Sequence, residues 1–166
     1  VASTVINVLG SLDDVTLDGT TVSGFGYALE MTAGAVHLTG DANLAGSINA
    51  ISAEDSSITV DGAHLSSTNP TGTAMVVTGD SEMDFVDLSV SGYRGLDTDL
   101  DFNWNGGIST TTDATVITAA TGAKIENMTW TDATTQIHAR NYARILSVAN
   151  SLDNSKLVVA PTAVID

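Results

Sequence analysis

The densest run of chemically useful side chains is Leu96-Asp97-Thr98-Asp99-Leu100-Asp101-Phe102-Asn103-Trp104-Asn105. It alternates, so in an extended conformation Asp97, Asp99, Asp101, Asn103 and Asn105 share one face, and Leu100, Phe102 and Trp104 share the other. Hard oxygen ligands at a spacing of two resemble the start of a calcium loop. That makes Asp97, Asp99 and Asp101 the candidate metal site and calcium the candidate cofactor; no other cofactor is expected. The run departs from an EF-hand, because Phe102 stands where that loop needs Gly and Ile108 where it needs a bidentate Glu. The same carboxylates would suit glycoside hydrolysis, with Trp104 as a platform for a sugar ring. The plainer expectation is an added strand that packs its apolar face on the body of the protein and leaves the acids in solvent.

Around this run the sequence gathers its other unusual groups. Tyr93, Arg94, Phe102, Trp104, His138, Arg140 and Tyr142 fall in or beside two long segments, 93–112 and 133–141, and are the candidate ligand-binding residues. No residue is assigned a catalytic role. His37 and His64 are expected to point outward, with no shared metal site. Asn127-Met128-Thr129 matches a glycosylation acceptor, but Asn127 is equally explained as a turn residue. Thr-rich stretches such as Thr110–Thr112 invite an ice-binding reading, yet no regular Thr-x-Thr ladder recurs.

The elements that would hold these groups follow from composition. Thr, Ser, Asp and Gly supply 70 of the 166 residues, and Asp outnumbers Glu 16 to 4. Thr favours strands, while Asp and Gly favour turns. A net charge of −15 opposes nucleic acid and anionic membranes as partners, and no apolar run is long enough for membrane insertion. The lack of Cys excludes disulfides, Cys-ligated metal and a thiol nucleophile. Val1 in place of Met is expected of a processed form or of a piece of something longer.

A template recurs along the chain: apolar residues at offsets 0 and 2, a turn former at 4, an apolar residue at 7 and a turn former at 9. Val15, Leu17, Gly19, Val22 and Gly24 define it. Further copies start at Val36, Ile58, Met83, Ala123 and Leu157, with the offset-4 corners at Gly40, Gly62, Asp87, Asn127 and Pro161. Between copies lies a second apolar segment, as at Tyr27–Met31, Ile48–Ile51, Thr73–Val77, Thr115–Thr118 and Tyr142–Val148; Val5–Leu9 belongs to the same class.

Short strands recurring at about 22 residues predict an all-β solenoid, residues 1–166 forming one domain of about six coils. The longer segments would then be loop insertions leaving one corner. This pattern resembles the right-handed parallel β-helix family, the pectin-lyase-like coil of polysaccharide lyases, viral tailspikes and surface adhesins. The resemblance implies a secreted protein at a cell or virion surface. One expectation is a noncatalytic structural or adhesive module that self-associates or joins neighbouring structural subunits through its ends and loops. The competing expectation is a carbohydrate-binding or carbohydrate-cleaving domain. In a lyase-type scheme a bound calcium would work with a base from Arg94, Lys124, Arg140 or Arg144.

Overall fold

The computed structural model describes residues 3–24, 26–98 and 100–111, then the strand segments 115–119, 124–126, 129–130, 135–139, 144–146, 149–150, 156–159 and 164–165. Within these, side chains are described up to residue 107 and at Lys124 and Ile125. Every element is a strand. The first turns contain β1 (Thr4–Val8), β2 (Asp14–Asp18), β3 (Thr21–Gly24), β4 (Tyr27–Met31), β5 (Ala35–Gly46), β6 (Asn49–Glu54) and β7 (Ser57–Ser67). The middle of the chain adds β8 (Thr73–Thr78), β9 (Glu82–Gly92), β10 (Arg94–Asp97), β11 (Asn103–Asn105) and β12 (Ile108–Thr111). Then come β13 (Thr115–Ala119), β14 (Lys124–Glu126), β15 (Thr129–Trp130) and β16 (Thr135–Ala139). The last are β17 (Arg144–Leu146), β18 (Ala149–Asn150), β19 (Lys156–Val159) and β20 (Val164–Ile165).

All pairings between these strands are parallel, and each strand pairs with its counterpart one turn away. The chain is therefore a parallel β-solenoid, and the part with described side chains makes about five turns. One ladder runs β1-β4-β6-β8-β10, and the ladder β13-β16-β19 follows with β13 packed beside β10. The other strands form a sheet with two arms that share the long strands β5, β7 and β9. One arm stacks β2, the first halves of β5, β7 and β9, then β11, β14, β17 and β20. The other stacks β3, the second halves of the same long strands, then β12, β15 and β18.

The arms meet at a corner of left-handed backbone. Positive φ occurs there at Gly19 (53°), Gly40 (61°), Gly62 (79°), Asp87 (51°) and Gly106 (79°). Four of these five are the offset-4 corners read from the sequence, occupied by Gly or by Asp, a short polar residue that tolerates this region better than most. Asp41 adds a second positive φ in β5, and the register slips by one residue between Thr39 and Ala42, a bulge. Acids stack over the corner glycines. A Cβ on Gly40 would collide with Asp18 Oδ1, and one on Gly106 with Asp87 Oδ1, so a carboxylate from one turn sits in the space that Gly leaves in the next.

Inside, apolar residues form columns one rung apart. Leu17, Leu38, Val60, Phe85, Trp104 and Ile125 follow one another in register, in steps of 19 to 25 residues. Leu29, Ile51, Met75 and Leu96 make a second column, and Val22, Leu44, Leu65 and Val90 a third, all of them buried. Each fully buried side chain of this kind contributes about 1.5–3 kcal/mol.

Two segments read as insertions are parts of the stack. Residues 93–112 contain β10, β11 and β12, which pair with β8 and β9 and make a further turn. Phe102, Trp104 and Gly106 occupy offsets 0, 2 and 4 of the template, but Ser109 takes the apolar offset 7, which hides the copy. Segment 133–141 contains β16, a rung between β13 and β19. Leu157 pairs with Ile137, and Arg144–Leu146 with Lys124–Glu126, so these two apolar segments exchange the places that the template gave them. Among the described connections, 68–72 remains a loop, closed by a Gly72 N–H bond to Asn69 O at 3.0 Å. Asn127 and Pro161 lie outside the described residues.

Candidate functional site

The alternating run divides where the chain leaves one ladder for the next. Asp97 ends β10, on the ladder with β8, and its carboxylate lies 3.6 Å from the Arg94 guanidinium. Thr98 is buried, and its hydroxyl accepts the Leu100 N–H at 3.2 Å, which turns the chain toward β11. Beyond the turn the alternation holds: Asp101, Asn103 and Asn105 are exposed, while Phe102 and Trp104 are buried. Asp97 and Asp101 therefore belong to different faces, and Asp99 lies outside the described residues. Among the described residues no three His, Asp or Glu side chains converge to hold a metal ion.

Two of the candidate ligand-binding residues, Phe102 and Trp104, belong to the core. Trp104 is 0% exposed, its indole N–H donates to Leu88 O at 3.2 Å, and its ring stands edge-on to Phe85 with centroids 6.0 Å apart. Phe102 packs on Phe85 at 6.3 Å. Burial of large aromatic surface outweighs any gain from presenting these rings to solvent. Tyr93 and Arg94 stay at the surface, with the guanidinium 5.9 Å from the tyrosine ring centroid. His138 lies on β16, in register with Thr118 and Val158, and Arg140 and Tyr142 fall outside the described residues.

The described surface carries two depressions beside the residues discussed above. One, of about 550 Å³, is lined by Asp80, Ser81, Glu82, Met83, Leu100, Asp101, Phe102 and Asn103. Its floor is the rim of the core at Met83 and Phe102, and its edge carries the exposed carboxylates of Asp80, Glu82 and Asp101. Sequence reading pointed to Asp101 but missed Asp80 and Glu82, which the fold brings near it from one turn away. The other, of about 370 Å³, lies on the second arm between Asn43, His64, Ser66, Ser89 and Ser91. His64 is exposed there, while His37 on the first arm meets Asp14 at 3.2 Å.

Other carboxylates serve the backbone. Asp55, itself at positive φ, accepts the Asp80 N–H from the following turn at 2.8 Å. Asp18 accepts the Thr39 hydroxyl at 3.1 Å, and Asp13 accepts the Gly10 N–H at 2.9 Å. These short acids bridge rungs and tighten turns, a geometry that a longer Glu would overshoot. At the first turn, β1 pairs only with β4 among the described residues, and β2 and β3 only with β5. Val5 (53% exposed), Leu9 (63%) and Leu12 (96%) are open to solvent beside that edge.

Comparison of the chain with protein-family models, curated proteins and solved structures returns no match.

Proposed function

We propose that the chain is a noncatalytic structural or adhesive module of the right-handed parallel β-helix, pectin-lyase-like type, working outside the cell at a cell or virion surface as part of a larger assembly. The observation that carries this reading is the edge of the first turn. Among the described residues its strands β1, β2 and β3 pair on one side only, and Val5, Leu9 and Leu12 are exposed beside them. Such an edge is a template for another strand. A further turn of the same kind, on this polypeptide or on a neighbour, would continue the ladder and cover these side chains.

The side chains that suggested chemistry support the same reading. Trp104 and Phe102 are core residues, so the sugar platform of a carbohydrate-active alternative is missing from the position the sequence suggested. Asp97 is paired with Arg94 away from Asp101. The test is sedimentation of the unaltered chain against Val5→Lys/Leu9→Lys. Concentration-dependent association that the double variant weakens supports the reading. A single monomeric species for both at every concentration contradicts it.

A further inference from the structure

The two arms of the sheet carry the same core but opposite surfaces. The arm built from β3, the second halves of β5, β7 and β9, then β12, β15 and β18 reads TVSG, ANLAG, AHLSS, LSVSG, ISTT, TW and AN. It holds no Asp, Glu, Lys or Arg in any rung, although the chain has 20 acids and 5 cations. The first arm carries Asp14, Asp18, Asp61, Glu82, Asp84, Lys124, Glu126 and Arg144, and the β1-to-β19 ladders carry Glu30, Glu54, Arg94, Asp97 and Lys156. Lys and Arg are also absent from residues 1–93, where 12 of the acids lie, so ion pairs with Lys or Arg of that segment cannot offset its charge.

We propose that two copies of this chain meet side by side through the uncharged arm. The inference rests on the assembly reading above and adds a lateral contact to the contact at the edge. Two bodies of charge −15 repel wherever acids face acids, so the approach of lowest cost presents the uncharged face of each copy to the other. Its outer rows suit close approach. Thr21, Asn43, His64 and Ser89 form one row, and Ser23, Ala45, Ser66 and Ser91 the other, in register from rung to rung. These side chains are small or flat and leave the shallow depression at His64 and Ser89, and Thr21, Ser23, Asn43 and Ser66 carry hydroxyl and amide groups that hydrogen-bond without bringing charge.

The size of the face sets the strength. Rungs about 4.8 Å apart and strands rising about 3.3 Å per residue give a face of roughly 30 by 16 Å. Two such faces cover roughly 1,000 Å², which is the range of weak, transient contacts rather than obligate dimers. In a two-fold arrangement every residue of this face enters the contact twice, once from each copy. The contact is therefore concentration-dependent, and carboxylates added to this face bring like charge into it from both copies.

The experiment compares sedimentation equilibrium of the unaltered chain with three double variants of verified fold by circular dichroism. Asn43→Asp/Ser66→Asp places charge on the uncharged arm; Thr16→Asp/Asn103→Asp adds the same charge to the other arm; Val5→Lys/Leu9→Lys alters the edge. The expected result is at least a tenfold weakening of association in the first and less than threefold in the second. Association of Asn43→Asp/Ser66→Asp equal to that of the unaltered chain overturns the lateral contact, and if the edge variant alone is weakened, the assembly reading still stands. An unaltered chain that never associates overturns both.

Discussion

On either side of the Gly40–Asp41 bend, the two halves of β5 fold under the same rules and face the solvent under different ones. Inward, Val36 and Leu38 before the bend and Leu44 after it are all buried in columns that continue through every neighbouring rung. Outward, the first half belongs to an arm lined with Asp, Glu and the His37–Asp14 pair, the second to an arm with no formal charge. The difference teaches that the interior specifies the solenoid and says little about its use. What distinguishes the faces is the choice of outward residue, which the fold leaves free.

The comparison can be broken most severely from inside. Trp104 and Asn103 are adjacent on β11, one inward and one outward. Trp104→Ala is expected to cost about 3–5 kcal/mol, because it leaves a cavity in a buried column and removes the indole N–H that bonds Leu88 O. Asn103→Ala is expected to stay within about 0.5 kcal/mol. Urea unfolding of both variants checks the pair, and equal losses would mean that the ring is not in the core.

The corner that separates the arms gives a smaller effect. Asp87 holds φ at 51°. Asp87→Val is expected to destabilise by about 1–2 kcal/mol, whereas Asp87→Gly should be close to neutral, since only the first forces a β-branched side chain into the left-handed region. Thermal melts of the two variants separate this backbone effect from loss of the carboxylate. At the opposite corner, Asp55→Ala removes the acceptor of the Asp80 N–H and is expected to cost about 0.5–1.5 kcal/mol, with Asp55→Asn recovering most of it. The smallest change lies on the charged arm. A double-mutant cycle on His37 and Asp14 should give less than about 1 kcal/mol, because the pair is solvent-exposed.

Much of this architecture can be read from the chain. Gly19, Gly40, Gly62 and Asp87 mark the corner because few residues adopt its backbone, and Val15, Val36, Ile58 and Met83 recur because one buried face repeats at each turn. The turn at 93–112 escapes notice for a physical reason: Ser109 fills a slot in which its neighbours one turn away are Val90 and Trp130. One polar residue in an apolar slot breaks a pattern without breaking a ladder. The segment at Leu157 shows the reverse, since strands of two different ladders both alternate and composition cannot assign them. The inward placement of Phe102 and Trp104 follows from their alternation with Asp101, Asn103 and Asn105. The uncharged arm does not, because it exists only once the register of β9, β12 and β15 is known. The same holds for the meeting of Asp80 and Glu82 with Asp101, which lie about twenty residues apart in sequence.

The proposal that this acidic solenoid meets its own copies through an uncharged face makes a definite demand on the salt dependence of self-association. Screening weakens repulsion between the charged faces while leaving an uncharged contact intact. Sedimentation equilibrium of the unaltered chain at rising ionic strength is therefore expected to show tighter association as salt increases. Association that weakens with salt would point to ion pairs at the interface, and a monomer under all conditions would leave no interface to explain; either result would contradict the claim.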